Sequence, residues 1–146
     1  VALALGATIV VQGPAGRRDI PAVDFFLGRC HTAVVPGELL VEVRVPRVSG
    51  AGWSYQRLTR RAHDWPTVSV AAVAHRACGV ALVNMGATPL RAAAVEEGLA
   101  AGFPAVEAAR SAPDGTDPPT DVKATAEFRR HLAVVLTRRA LLAAGM

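Results

Sequence analysis

Cysteine is scarce in this chain. Its 146 residues include only Cys30 and Cys78, and these two do not form a CxxC pair. Two thiols are too few for the disulfide framework that holds small secreted domains together. This scarcity excludes a disulfide scaffold, and it predicts that the protein resides in a reducing cytoplasm.

Long hydrophobic runs are also lacking. No apolar stretch approaches the roughly 20 residues that a helix needs to cross a bilayer, so we expect no membrane span. No basic segment precedes the first apolar stretch, so a signal peptide is not expected either. The sequence opens on VALALGATIVV without a capping or start signal. That opening is the pattern expected of a cut through the middle of a domain.

Lysine is the third shortage, since Lys123 stands alone against fifteen arginines. The net charge of +4 and the pI of about 10 would suit a nucleic-acid partner. The positive excess lies within residues 1–89, however, and its densest cluster is Arg57, Arg60 and Arg61. Three close arginines suit an anionic ligand or an acidic partner, whereas DNA binding usually needs a whole basic face. We therefore expect no nucleic-acid partner, and we expect Arg60 at least to be solvated.

The composition supports a folded core. With 51% hydrophobic and 19% charged residues, the chain can fill one compact domain, or one and a half small ones. Residues 39–46 alternate between polar and apolar side chains, which is typical of a half-buried strand. Residues 67–76 and 79–85 are apolar runs around a turn at Ala77-Cys78-Gly79, which predicts an antiparallel hairpin. Other strands are predicted at 5–12, ending at Gly13-Pro14, and at 52–59, with Trp53, Tyr55 and Arg57 on one face.

From Thr88 onward the pattern changes to helices. Thr88 is predicted to cap a first helix that has Pro89 at its first position and ends at Gly102. Gly86 is expected to supply a positive φ ahead of that helix. A second, short helix is predicted at 104–112. A sheet followed by helices, without βαβ alternation, predicts an α+β fold in which an antiparallel sheet of at least three strands packs with a three-helix bundle.

The third predicted helix is the longest, and Asp121 is expected to be its N-cap. Its apolar stripe and its arginines are read from the helical period. The stripe is predicted to contain Phe128, Leu132, Val135 and Leu136. The arginines lie mostly off the stripe and are expected in solvent: Arg129, Arg130, Arg138 and Arg139.

Five segments, in this order, resemble one known family. They are GPAGRRDIPAVDFFLG, PGELLVEVRVP, YQRLTRRAHDW with the following TVSVAAVA, NMGATPLRAAAVEEGL and TAEFRRHLAVVLTRRAL. The set resembles the FAD-binding flavoprotein (medium) subunit of carbon monoxide dehydrogenase and the FAD domain of xanthine dehydrogenases. The resemblance implies that residues 1–36 are the C-terminal remnant of the second α/β FAD-binding subdomain. It also implies that residues 37–146 are the C-terminal flavoprotein domain.

The resemblance implies a function in a multi-subunit oxidoreductase of the molybdenum hydroxylase type. Such a subunit binds FAD and relays electrons from iron–sulfur clusters to an external acceptor. Its expected partners are a large subunit that carries the molybdenum cofactor and a small subunit that carries 2Fe–2S clusters. The family's glycine-rich pyrophosphate loops are not among the matching segments. We therefore expect an incomplete FAD site and no activity of the chain alone, with a non-catalytic assembly module as the alternative.

The resemblance also implies which residues contact the cofactor. Leu40 is expected to lie near the isoalloxazine ring, and Trp65, next to Asp64, is expected to stack on it. Gln56 occupies the position where some relatives have a flavin-contacting lysine, so the neighbouring Arg57 could supply the missing charge. The alternatives are a plain core residue for Leu40, a solvent-facing strand residue for Gln56, and a core or hairpin aromatic for Trp65.

Other potential sites are not supported by their spacing. A zinc site would need His75 and Cys78 on one side, but three residues along a strand place side chains on opposite faces. Adjacent Cys30 and His31 would diverge in the same way, so we expect no metal. Ser69 lacks the GxSxG turn that would present a nucleophile, so we expect no catalytic triad.

Overall fold

The computed structural model describes residues 1–74 and 78–146. The elements in chain order are β1 (Thr8–Gly13), β2 (Gly16–Pro21), α1 (Ala22–Phe25), β3 (Phe26–Gly28), β4 (His31–Thr32), β5 (Leu39–Arg44), β6 (Gly52–Leu58), β7 (Val68–Ala74), β8 (Gly79–Val83), β9 (Leu90–Arg91), α2 (Ala93–Ala100), α3 (Ala105–Ala108) and α4 (Ala126–Ala143). Strands dominate as far as β9 and helices follow, which confirms the predicted α+β class.

The N-terminal part is an antiparallel sheet of order β2-β1-β5. The strand β1 is the central one, and its residues Ile9, Val10 and Val11 are buried. The predicted turn at Gly13-Pro14 joins β1 to β2 as a tight hairpin, in which Gly16 has a φ of +111° that suits glycine. Residues 17–20 are extended because they pair with β1.

The strand β5 belongs to this first sheet, since it pairs with β1 and not with β6. The resemblance had implied that residues 39–46 belong to the C-terminal domain, whereas their strand pairs with the N-terminal sheet. The division between residues 36 and 37 stays a prediction. The ladder between β1 and β5 favours a division later in the chain, between Arg44 and Gly52.

The C-terminal sheet has the order β6-β7-β8-β9 and is antiparallel throughout. The predicted hairpin of β7 and β8 is confirmed, although His75, Arg76 and Ala77 of its connection lie outside the described residues. The strand β7 is buried on both faces. Val68, Val70 and Ala72 contribute to the core against the helices, and Ala71 and Val73 pack with the N-terminal segment on the other side. Burial on both faces explains the nearly continuous apolar sequence.

The first helix begins later than predicted. Leu90 and Arg91 form β9 and pair with Leu82 and Ala81 of β8, so α2 starts at Ala93 and Thr88 is not its cap. This pairing gives backbone groups along that edge of β8 their partners. The positive φ expected at Gly86 occurs instead at Asn84, where φ is +62°. The second helix is confirmed as α3, which continues into a 3-10 turn at Ala109–Ser111.

The long helix α4 begins at Ala126, capped by Thr125, whose hydroxyl accepts a hydrogen bond from Phe128 N across 3.2 Å. Asp121 is therefore not the N-cap. The buried face of α4 also differs from the predicted apolar stripe at its start. Phe128 was predicted to be buried and is 46% exposed, whereas Arg129 was predicted to be in solvent and is 1% exposed. Leu132 and Leu136 are buried as expected, and Arg130, Arg138 and Arg139 are exposed as expected. Within the described residues, no helix is both long and apolar enough to cross a membrane.

Candidate functional site

A cleft of about 660 Å³ lies between the β3–β4 turn, the β6–β7 loop and the loop that precedes α4. Both parts of the chain therefore contribute to it. The N-terminal part supplies a short turn, and the C-terminal part supplies one aromatic and several polar side chains. The lining residues are Arg29, Cys30, Trp65, Asn84, Gly86, Ala87, Pro119, Thr120, Asp121 and Arg129.

Trp65 stands at this cleft with 80% of its surface exposed. The backbone on its C-terminal side is held by two side chains. Asn84 Nδ2 donates a hydrogen bond to the Pro66 carbonyl across 2.5 Å, and Arg129 Nη1 donates to the Thr67 carbonyl. Thr67 N also donates to the Leu58 carbonyl across 2.7 Å, which closes the β6–β7 loop. A large aromatic face is thus presented to the solvent from a tethered backbone.

Arg129 is the buried charge of the cleft. Its Nη2 donates to Asp121 Oδ2 across 2.8 Å, and the side chains are 2% and 44% exposed, respectively. Asp121 Oδ1 accepts from Lys123 N across 2.9 Å and from Ala124 N across 3.1 Å. The hydrogen bond from Lys123 N is the main reason that the pKa of Asp121 lies below its usual range, and Arg129 adds to the effect. Arg129 Nε is buried and has no hydrogen-bond partner among the described residues.

The arginine cluster lies on and beside the same loop. Arg57, Arg60 and Arg61 are exposed, as expected of solvated residues. Arg60 Nη1 donates to the Val122 carbonyl across 3.3 Å, which ties the β6–β7 loop to the loop before α4. Among residues 1–74 and 78–146, no ion pair joins any of the three to Asp64.

The residues predicted to contact the cofactor are spread over several elements. Trp65 lines the cleft, whereas the described lining includes neither Leu40, Gln56, Arg57 nor Asp64. Leu40 is 47% exposed on β5, opposite Val11. Asp64 is half-buried in the loop, next to Trp65. Their roles stay predictions.

Gln56 and Arg57 are consecutive residues of β6 and therefore point to opposite faces. Gln56 pairs with Val70 on the face that packs against the helices, and its Nε2 donates to Ser54 Oγ across 2.9 Å. Arg57 pairs with Ser69 on the other face. Trp53 and Tyr55 share that second face with Arg57, as the sequence predicted, and they line an apolar cavity of about 300 Å³.

Sequence reasoning missed the two side chains that hold the backbone after Trp65. Arg129 was expected in solvent, because an arginine flanked by another charged residue resembles the polar face of a helix. Asn84 was not considered a binding residue. The signal that could have identified it is that asparagine is one of the few residues that adopts a left-handed backbone readily.

Metal ligands do not cluster in the part of the chain that the structure describes. Cys30 is exposed and has a positive φ of 56°. Cys78 is half-buried and its thiol lies 3.3 Å from Met146 Sδ. Burial raises the pKa of the Cys78 thiol to about 11, so it is a poor nucleophile at neutral pH. His75, the other predicted candidate, lies outside the described residues.

Two family models match the chain in succession. The FAD binding domain in molybdopterin dehydrogenase matches residues 1–48. The CO dehydrogenase flavoprotein C-terminal domain matches residues 53–144. The second match alone covers more than half of the chain. The chain therefore belongs to the carbon monoxide dehydrogenase flavoprotein family, and it corresponds to the C-terminal portion of the FAD-binding medium subunit.

Individual relatives agree with this assignment. The carbon monoxide dehydrogenase medium chain of Hydrogenophaga pseudoflava is 34% identical over 99% of this chain and 54% of its own length. The medium chain from Afipia carboxidovorans is 35% identical over 94% of this chain and 51% of its own. The solved carbon monoxide dehydrogenase of Hydrogenophaga pseudoflava superposes with a TM-score of 0.89 at 34% identity, over 99% of this chain and 54% of that one. The chain thus spans about half the length of the relatives it matches.

Proposed function

We propose that this chain forms one wall of the flavin site in the electron-transferring subunit of a molybdenum hydroxylase. The observation that carries the proposal is Trp65, an exposed indole on a tethered backbone at the edge of a large cleft. An aromatic face at such a position can stack on a planar ring and exclude water from it. The match of residues 1–48 to an FAD-binding domain supports flavin as that ring.

The chemistry of the cleft fits the flavin ring. Isoalloxazine carries carbonyl and ring-nitrogen acceptors along one edge. Arg129 lines the cleft with a buried guanidinium that is already bonded to the Thr67 carbonyl and to Asp121. Its positive charge favours an occupant whose electronegative atoms face it. Trp65 would stack on the ring, and the charge of Arg129 would favour the acceptor edge of the ring.

The chain does not fit the pyrophosphate of FAD equally well. The best glycine-rich candidate, Gly13 to Gly16, is the tight turn between β1 and β2. Pro14 in that turn has no N–H, and the turn leads into a strand and not into a helix N-terminus. Of the two arginines at the cleft, Arg129 is already paired with Asp121. We propose that the described residues provide the ring wall and not the pyrophosphate grip.

A flavin could reach the other predicted contacts, Leu40, Gln56 and Arg57, only by approaching the strands that carry them. The register between β1 and β5 shifts between Val10 and Val11, next to Leu40, and such bulges often re-aim a side chain beside a site. The strand β6 pairs only with β7 among the described strands, so it is an edge strand. Because Gln56 and Arg57 point to opposite faces, a flavin that contacts both must lie along that edge.

The proposed role of the subunit is a relay. FAD, when bound, would accept and release electrons singly or in pairs, which suits one-electron donors such as iron–sulfur clusters. The iron–sulfur small subunit would deliver those electrons after the molybdenum-binding large subunit has oxidised the substrate, and an external acceptor would remove them. This chain's contribution is to position the ring, to shield one face of it and to place a positive charge near its acceptor edge. The reducing cytoplasm is the compartment that we propose, supported by two free cysteines.

The alternative is an assembly module that binds no FAD by itself. A specific observation favours it: β5 and β6 expose apolar side chains that a monomer normally covers. Leu39 is 72% exposed and Val43 is 49% exposed, and Trp53 on β6 is 72% exposed. These strands would then dock against other parts of a larger complex.

Riboflavin titration separates the two functions. The variant Trp53→Phe leaves Trp65 as the only tryptophan, because the chain contains two. We expect riboflavin to quench its fluorescence to saturation, and Trp65→Ala to abolish binding as measured by the fluorescence of riboflavin itself. An unquenched Trp65 at millimolar riboflavin would overturn the ring-wall proposal and leave the assembly module.

A further inference from the structure

We propose that Arg129 and Asn84 are positioning residues that hold Trp65 at the cleft from two different elements, so that the helix α4 sets the placement of the aromatic wall. The inference rests on the proposed function, because Trp65 needs a fixed position only if it contacts the flavin. The hydrogen bonds of the described residues show how that position is held.

The backbone around Trp65 has few free torsions. Pro66 follows it, and a residue before proline is restricted to extended conformations by the proline ring. The Pro66 carbonyl accepts from Asn84 Nδ2, and the next carbonyl, that of Thr67, accepts from Arg129 Nη1. Two successive carbonyls are therefore held by two side chains from distant parts of the chain.

Each of these two side chains is itself held in place. Asn84 follows β8 in a left-handed backbone with a φ of +62°, and it is half-buried. Arg129 is 1% exposed on the first turns of α4, and Asp121 holds its second nitrogen at 2.8 Å. A long charged side chain would lose much rotamer freedom on burial, so its retention here calls for a role. The structure assigns it the Thr67 carbonyl.

Arg129 and Asn84 do not act on Trp65 by packing it into the core. Trp65 itself is 80% exposed and contributes little to the core, so fixing its backbone adds little to stability through burial. A fixed backbone does, however, lower the entropic cost of ordering the indole when a ligand binds. That is the usual benefit of a preorganised site. Loss of either anchor should therefore loosen Trp65 more than it unfolds the protein.

Time-resolved fluorescence anisotropy of Trp65 tests the inference without flavin. In the Trp53→Phe chain, Arg129→Met and Asn84→Gly should each roughly double the amplitude of the fast, nanosecond component of the decay. Glycine keeps the left-handed backbone at position 84 while it removes the donor, so strain does not confuse the result. Arg130→Met is the matched control, since Arg130 is the exposed neighbour of Arg129, and it should leave the decay unchanged.

The outcomes decide between positioning and structure. If Arg129→Met and Asn84→Gly lower the melting temperature but leave the anisotropy decay of Trp65 unchanged, the two residues are structural and the inference is wrong. If Arg129→Met fails to fold, Asn84→Gly and Arg129→Lys decide the question. The lysine can reach one acceptor, so it should give an intermediate fast component.

A flavin arm keeps this inference separate from the proposed function. Riboflavin should bind the Asn84→Gly chain between about twofold and tenfold more weakly, since immobilising one more side chain costs that much. If Trp65 is loosened as expected but riboflavin binds neither variant nor parent, the positioning inference stands and the ring-wall proposal fails.

Discussion

Arg129 and Asp121 form an ion pair with unequal surroundings. The two side chains meet at 2.8 Å, yet the guanidinium is 2% exposed and the carboxylate is 44% exposed. The charge buried in the protein is thus neutralised by a partner that remains in contact with water. Asp121 also shapes the loop before α4 through two backbone N–H groups. One carboxylate therefore joins the loop, the helix and the cleft.

Acid should weaken this pair. The folded pKa of Asp121 lies below its unfolded value of 3.8, so its contribution to stability is fully present above about pH 4. It is lost as the pH falls through the folded value. We expect Asp121→Asn to be less stable than the parent at pH 6, with the difference shrinking below about pH 4. Urea unfolding monitored by circular dichroism between pH 2 and pH 7 measures it, and a difference that grows on acidification would contradict the pairing.

Removing Arg129 should cost more than removing its neighbour. Arg129→Met removes the side-chain donor to the carbonyl of Thr67, a residue that is only 2% exposed. The free energy of unfolding should therefore fall by about 1–3 kcal/mol. Arg130→Met, on the exposed face of α4, should change it by less than about 0.5 kcal/mol. Chemical denaturation gives both values. Equal effects from the two substitutions would show that Arg129 is not the buried anchor.

A second acid-sensitive pair joins β2 to the segment before β5. Arg18 Nε and Nη2 each donate to Glu38 across 2.7 Å, and this contact lowers the pKa of Glu38 to about 2. The stabilisation is present above 4.5, the ordinary pKa of the group, and disappears as the pH falls towards 2. Glu38→Gln should therefore be destabilised relative to the parent at pH 6 and equal to it near pH 2. Glu107→Gln, an exposed glutamate of α3, is the control and should show no such convergence.

Gly52 is needed for a close backbone approach. A Cβ at this position would collide with the carbonyl oxygen of Ala144, just after α4. Gly52→Ala should push the end of the helix away from β6 and destabilise the fold by about 1–3 kcal/mol. Gly28→Ala is the matched control, because its nearest neighbour would be His31 Cβ at an ordinary 3.7 Å. Thermal unfolding of both variants tests this, and equal melting temperatures would contradict the close approach.

The sequence predicted the elements better than their partners. The alternation of residues 39–46 indicated a strand correctly, but it contained no information on whether β1 or β6 would pair with it. The apolar runs of β7 and β8 predicted their hairpin because adjacent runs around a short turn have few other ways to bury themselves. Partner choice depends on contacts distant in sequence, and these are visible only in the fold.

The cleft was predictable only in part. Trp65 was singled out from a family-like segment, and at 80% exposure it is not a core residue. Arg129 was assigned to solvent because helical period and charge alone place it there. Its burial depends on Asp121 and on the Thr67 carbonyl, which lie 8 and 62 residues away along the chain. A single sequence does not bring such groups together.

The central claim is that this chain walls the flavin ring without gripping the FAD pyrophosphate. Parallel titrations of the purified 146-residue chain with riboflavin and with FAD test it most directly. We expect saturable binding of both, with dissociation constants that agree within about threefold, because the phosphates would meet no dedicated donors. Two charge-assisted hydrogen bonds to phosphate would instead make FAD bind more than about 100-fold more tightly. That preference, or a chain that purifies with stoichiometric FAD, would contradict the claim.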